Sequence, residues 1–63
     1  MTNNLIRLSE VRKKTGLGRT KIYEMIKTGK FPSPCHIGSR AVAWPESEVD
    51  TWIESKIMQR KQP

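Results

Sequence analysis

Hydrophobic side chains recur at helical spacing shortly after residue 20. Ile22, Met25 and Ile26 stand at positions i, i+3 and i+4, which predicts an amphipathic helix that buries these three side chains. Gly18 is acceptable at the N-cap of this helix, and Gly29 is typical of the residue that ends one. The opposite face of the predicted helix carries Thr20, Tyr23, Glu24 and Lys27.

A second short helix is predicted just before this turn. Ser9 suits its N-cap, because the hydroxyl can accept a hydrogen bond from a free N–H group of the first turn. We therefore expect a helix from Glu10 to about Lys14, with Val11 inward and Gly16 ending it in the left-handed conformation. In DNA-binding proteins, a helix, a turn and a second helix place the second helix in the major groove.

Short alternating runs predict a small sheet beside these helices. Residues 5–8 alternate as a strand does, and so short a strand needs a partner elsewhere in the chain. Residues 35–37 and 41–44 predict a β-hairpin with a turn at 38–40. Phe31 is expected to anchor the proline-containing connector before the hairpin. The apolar side chains of the hairpin are Ile37, Val42 and Trp44.

A third helix is predicted after the hairpin. Pro45 suits its first position, where a missing N–H costs nothing, and three acidic residues follow near the positive end of the helix dipole. Burial is favoured over base stacking for both Trp44 and Trp52. The predicted buried stripe is Val49, Trp52, Ile53 and Ile57.

These elements predict one mostly α-helical domain with a small β-hairpin, made of three helices and a short two- or three-stranded sheet. We expect the domain to span residues 5–58, with frayed residues at 1–4 and a disordered basic tail at 59–63. A chain of 63 residues has room for one small hydrophobic core and for no second domain.

Charge is distributed unevenly along the chain. The net charge is +6 and the pI is about 10. Residues 1–40 hold nine basic and two acidic side chains, a net of +7, whereas residues 41–63 hold three basic and four acidic, a net of −1. Such a positive field is typical of nucleic-acid binders, and the alternative is a basic surface that only maintains solubility. A polyanion is therefore expected against the first two helices and the segment after them.

Other function classes have little support. Cys35 is the only cysteine and His36 the only histidine, so we expect no intramolecular disulfide, no metal site and no cofactor. No signal peptide, membrane-spanning run or small-molecule pocket is indicated, and a cytoplasmic protein is the expectation. No arrangement of acid, base and nucleophile is present, so the protein is not expected to be an enzyme.

Several motifs in combination resemble the AlpA family of prophage regulatory proteins, which is grouped with excisionase-like and MerR-like winged-helix domains. The resemblance implies a winged helix-turn-helix, with helix two in the major groove, the hairpin as a wing on the backbone or minor groove, and helix three behind. Gly18, where the family more often has a serine-like cap, and Arg12, where a small residue is usual, depart from the pattern. The motifs are IRLSEV (6–11), TGLGRTKIY (15–23), GKFP (29–32), GSRAVAW (38–44), ESEV (46–49) and Trp52.

The predicted DNA contacts begin at the start of helix two. Arg19 can pair bidentately with guanine or contact only phosphate, and Tyr23 is expected on the sugar-phosphate backbone, with half-burial against helix one as the alternative. Glu24 can accept from a cytosine amino group, although pairing with a lysine of its own helix, Lys21 or Lys27, is favoured. Arg40 is the minor-groove candidate. The full predicted set is Arg19, Thr20, Lys21, Tyr23, Lys27, Lys30, Ser39 and Arg40.

We therefore expect a sequence-specific double-stranded DNA-binding transcriptional regulator of a prophage or mobile element. One alternative is an excisionase-like recombination directionality factor that binds and bends DNA beside an integrase. A second is a small protein-binding adaptor. Expected partners are double-stranded DNA, further copies of the chain on adjacent sites, and RNA polymerase or an integrase.

Overall fold

A computed structural model describes residues 4–60 of the protein. Three helices and a small sheet confirm the predicted fold class, and the sheet has three antiparallel strands in the order β1-β3-β2. The last helix ends at Gln59, so the first residue of the predicted disordered tail is helical, and residues 61–63 of that tail, like residues 1–3, lie outside the described residues. The elements are β1 (Leu5–Ile6), α1 (Leu8–Thr15), α2 (Arg19–Lys27), β2 (Cys35–His36), β3 (Val42–Pro45) and α3 (Glu46–Gln59).

The sheet joins the beginning of the chain to β3, the second strand of the wing hairpin. Ile6 lies opposite Trp44 in the β1–β3 pairing, and His36 lies opposite Val42 in the β2–β3 pairing. Just before β1, the Asn4 carbonyl accepts a hydrogen bond from the Glu46 N–H at 2.7 Å. The predicted partner strand for the N-terminal segment is therefore β3.

The predicted start of α1 is wrong. The helix begins at Leu8, Arg7 occupies the N-cap, and Ser9 lies exposed inside the first turn without a capping role. Leu8 packs against the core as a helical residue, so its burial outweighs the benefit of a serine cap. β1 is accordingly shorter than the predicted strand. The predicted end is confirmed, because Gly16 has a φ of 74° and donates its N–H to the Arg12 carbonyl.

The bounds of α2 follow its glycines as predicted. Gly18 is the N-cap and provides no side-chain hydrogen bond. At the other end Gly29 has a φ of 76°, and its N–H donates to the Ile26 carbonyl at 3.1 Å. The Lys30 N–H donates to the Met25 carbonyl at 2.7 Å. These two bonds form a Schellman motif, which turns the chain sharply into the connector.

The core receives at least one buried side chain from each helix. Trp44 is fully buried, as predicted, and Phe31 anchors the connector. Trp52, predicted to be buried as well, is only partly covered. The buried hydrophobic residues are Val11, Ile22, Phe31, Ala43, Trp44 and Val49.

Three predictions near the wing and α3 need correction. Ile37 lies outside β2 and is 47% exposed, because only Cys35 and His36 pair with β3 along this edge strand. Pro45 ends β3 and is the N-cap of α3, so this helix begins at Glu46, one residue later than predicted. Ile57 is 53% exposed, since α3 continues past the core that covers Val49.

Candidate nucleic-acid interface

The two faces of α2 are separated as the periodicity predicts. Ile22 is fully buried, and Met25 and Ile26 are partly buried against the core. Thr20 and Glu24 are exposed on the other side. α2 therefore presents a polar face that no other described element covers. A shallow, open depression along that face is lined by Arg19, Thr20, Tyr23, Glu24, Ile26 and Lys27.

An aromatic stack supports the first residue of α2. The Arg19 guanidinium lies over the Tyr23 ring, 5.8 Å from its centroid, and that ring lies 6.4 Å from the Trp44 ring at an angle of 59°. Tyr23 is 37% exposed and packs against β3, whereas the sequence suggested α1 as its alternative neighbour. Because Trp44 is fully buried, the stack joins Arg19 to a fixed part of the core.

One lysine near the end of α1, where Arg12, Lys13 and Lys14 are consecutive, is neutralised by α3. The Lys14 Nζ lies 2.7 Å from the Asp50 Oδ1 and 3.1 Å from the Glu46 Oε2. Hydrogen bonds to Asp50 and Glu46 raise the pKa of Lys14 above 10.5. Lys14 therefore connects α1 to α3 and is unsuited to a phosphate contact.

The other cations of residues 4–60 make no ion pair with acidic groups in that range. Glu24 is also unpaired there, so the favoured pairing with Lys21 or Lys27 is wrong. The positive charges of α2 thus remain available to an external anion. The Glu24 carboxylate likewise remains available as an acceptor on the exposed face.

The connector after α2 is held by two indole groups. The Trp52 Nε1–H donates to the Lys30 carbonyl at 2.7 Å, and the Trp44 Nε1–H donates to the Pro32 carbonyl at 2.9 Å. Phe31 lies between these carbonyls and meets the Trp52 ring edge-on, 4.8 Å between centroids. Sequence reasoning assigned both tryptophans to packing alone, and no local pattern indicates which carbonyl a distant indole will contact.

The predicted site residues lie on α2, on the connector and in the turn of the wing. Arg19, Thr20, Tyr23 and Lys27 share the α2 depression. Lys21 is exposed on the same helix outside the depression, and Lys30 is exposed at the start of the connector. Ser39 and Arg40 are exposed in the turn between β2 and β3. The structure therefore brings four of the eight together and distributes the others over α2, the connector and the wing tip.

Other kinds of site have little basis in the described part of the chain. Residues 4–60 contain no group of three or more His, Cys, Asp or Glu side chains arranged to hold a metal ion. Cys35 is a free, exposed thiol. Within the same residues, no helix combines the length and the apolar character needed to cross a bilayer.

Comparison with known proteins identifies relatives of the whole domain. The family model described as prophage CP4-57 regulatory protein (AlpA) matches residues 4–57. The uncharacterized protein ORF88 of Enterobacteria phage P4 is 43% identical over 56 residues, which cover 89% of this chain and 64% of that protein. The DNA-binding transcriptional activator AlpA of Escherichia coli strain K12 is 31% identical over 58 residues, which cover 82% of this chain and 83% of that protein.

The family match includes every element that builds the candidate interface. It begins before β1 and contains both helices of the helix-turn-helix, the connector, the wing and most of α3. The Escherichia coli relative supports the same assignment over 82% of the chain. On this basis the chain belongs to the AlpA family of prophage regulatory proteins.

Proposed function

We propose that this protein binds double-stranded DNA at specific sequences and thereby regulates transcription of a prophage or mobile element. The observation that carries the proposal is the exposed face of α2, which combines cations, a hydroxyl and a half-exposed tyrosine on a helix anchored by Ile22. The similar Escherichia coli protein is named a DNA-binding transcriptional activator, which supports the same function here.

In this proposal α2 enters the major groove. Arg19 stands at the N-terminal end of the helix, where such helices reach base edges, and its guanidinium can donate two hydrogen bonds to one guanine. Glu24, unpaired on the same face, can accept from a cytosine amino group. Lys27 and Tyr23 are proposed phosphate contacts. In these roles Arg19 and Glu24 discriminate between base sequences. Lys27 and Tyr23 fix the position of the protein along the duplex.

The connector and the wing extend the proposed contact beyond α2. Lys30, three residues after the end of α2, is a proposed phosphate contact. Ser39 and Arg40 at the wing tip are proposed to meet the adjacent backbone or minor groove. A single module of this kind buries only about 600–1,000 Å² of protein surface on DNA. We therefore expect further copies on adjacent sites, or a partner such as RNA polymerase or an integrase, to strengthen binding.

Footprinting followed by a salt titration tests the proposal. If about five phosphates are neutralised, the logarithm of the binding constant should fall with the logarithm of salt concentration at a slope of roughly −4 to −5. Lys27→Ala should make this slope less negative by about one, whereas Lys56→Ala on α3 serves as the matched control and should leave it unchanged.

The same experiment distinguishes the proposed function from its alternatives. Protection over a promoter is the result expected of a transcriptional regulator, whereas protection confined to an attachment site would favour the excisionase-like role. A flat salt titration, with no protected sequence, would reject DNA binding and favour a protein-binding adaptor.

A further inference from the structure

The backbone of Lys30 is fixed on both sides. Its N–H donates to the Met25 carbonyl at 2.7 Å, and its carbonyl accepts from the Trp52 indole at 2.7 Å. The first bond belongs to the end of α2, and the second comes from α3. Lys30 is exposed, so its side chain extends into solvent from a backbone that two helices hold.

Trp52 is itself held in place. Its ring meets the edge of the buried Phe31, and the Lys56 ammonium lies 5.5 Å from the centroid of the indole ring. The packing against Phe31 orients the indole N–H toward the connector, and the Lys56 ammonium lies over the ring without contacting that N–H. Trp52 therefore fixes the backbone of Lys30 relative to α3.

We propose that Trp52 is a positioning residue for DNA binding, whose indole N–H holds the Lys30 backbone so that the lysine ammonium meets a DNA phosphate. This inference rests on the proposed function and names a residue that acts without touching DNA. A lysine side chain loses conformational freedom when it makes a phosphate contact, and a fixed backbone reduces the further ordering that binding requires. Without the indole bond, that ordering has to occur during binding.

The hydrogen bond from the Trp52 indole to the Lys30 carbonyl is expected to fix the Lys30 backbone more than to stabilise the fold. It lies at an exposed site, so water can replace the indole N–H when the donor is removed. Phenylalanine at position 52 keeps an aromatic ring against Phe31, removes the N–H donor and shortens a partly exposed side chain by three heavy atoms. Trp52→Phe should therefore remain folded while the Lys30 backbone becomes less fixed.

A double-mutant cycle tests this inference on the duplex that the wild-type protein protects. Trp52→Phe and Lys30→Ala should each weaken binding by about threefold to tenfold, and each should make the salt slope less negative by up to about 0.9. The double variant should bind no more weakly than Lys30→Ala alone, because both changes remove the same contact. Affinities are measured at a temperature where circular dichroism shows every variant folded.

Two further variants separate a positioning role for the indole N–H from a general effect of α3 on binding. Lys56→Gln removes the cation above the indole, and Ile57→Ala weakens α3 without touching the connector; both should keep the wild-type salt slope. Any one of three results would overturn the inference. These are a wild-type affinity in Trp52→Phe, a double variant in which the two losses of affinity multiply, and a salt slope in Lys56→Gln that equals the salt slope in Trp52→Phe. Absence of any DNA binding by the wild-type protein would instead reject the proposed function, and this inference with it.

Discussion

α2 and α3 each carry a cation and an aromatic ring four residues apart, and the two pairs differ in direction. On α2 the cation comes first: Arg19 stands in the first turn, 5.8 Å from the centroid of the Tyr23 ring. On α3 the ring comes first: Lys56 stands in the last turn, 5.5 Å from the centroid of the Trp52 ring. The positive end of a helix dipole disfavours the first placement, and the negative end favours the second.

The rest of each helix follows the same contrast. α3 begins with Glu46 and Glu48, which suit its positive end, whereas α2 has no acidic residue in its first turn. Neither N-cap, Gly18 on α2 nor Pro45 on α3, provides a side-chain hydrogen bond, so the contrast lies in the charge of the first turn. Sequences that break such local rules often do so at functional sites. We infer that the start of α2 is arranged for an anion outside the protein, and α3 for stability.

The largest expected effect comes from the side chain that anchors each helix. Ile22→Ala should lower the free energy of unfolding by about 2–5 kcal/mol, because it empties a fully buried site in a small core. Val49→Ala removes one carbon fewer on α3 and should cost about 0.8 kcal/mol less. Urea denaturation followed by circular dichroism measures both. A greater loss in Val49→Ala would contradict the expectation that the larger of the two buried side chains contributes more to stability.

Reversing the charge at the start of α2 should separate stability from function. Arg19→Glu replaces a cation that this end of the helix disfavours with an anion that it favours, which outweighs the lost cation–π contact with Tyr23, so the protein should be stabilised by up to about 1 kcal/mol. The same change should weaken binding to the protected duplex about 100-fold, because it removes the proposed base contact and adds repulsion. Thermal denaturation and fluorescence anisotropy measure the two effects.

Lys56→Glu is the matched change on α3. It should lower the melting temperature slightly and leave DNA affinity within about twofold, because it opposes the dipole at the other helix end, outside the α2 depression. Loss of stability in Arg19→Glu, or equal losses of affinity in both variants, would remove the contrast between the helices.

The ion pairs between α1 and α3 should make stability depend on pH at the alkaline end. The pKa of Lys14 is raised by Asp50 and Glu46, so this contribution is fully present below pH 10.5 and is lost as pH rises through the raised pKa. Lys14→Gln removes it at every pH. The urea midpoints of wild type and variant should therefore differ at neutral pH and converge above the raised pKa. A constant difference up to pH 12 would contradict the assignment.

The smallest expected effect concerns the missing cap of α2. Gly18→Ser should stabilise the protein by a few tenths of a kcal/mol, since a Cβ there meets no atom within 4 Å and a serine hydroxyl can cap the first turn. Gly16→Ser is the control: its Cβ site is equally open, but its φ is 74°, so the substitution should destabilise by about 1–2 kcal/mol. Thermal denaturation should show a raised melting temperature in Gly18→Ser and a lowered one in Gly16→Ser.

Much of the fold could be predicted because its signals are local. The spacing of Ile22, Met25 and Ile26 defined the buried face of α2, and Gly16 and Gly29 marked helix ends through their tolerance of positive φ. For the candidate site, the same periodicity placed Thr20 and Glu24 on the exposed face. The DNA-contact roles assigned to that face remain predictions.

What the sequence determined by itself is therefore the helical periodicity, the glycine turns and the excess of positive charge before residue 41. Only the tertiary structure decided that Leu8 begins α1 despite the better cap at Ser9, that Lys14 pairs with acids more than 30 positions away, and that the Trp52 indole holds the Lys30 carbonyl. The physical reason is the separation along the sequence over which each interaction acts. Periodicity and backbone preference act within a few residues, whereas ion pairs, indole hydrogen bonds and competing burial depend on which distant segments meet.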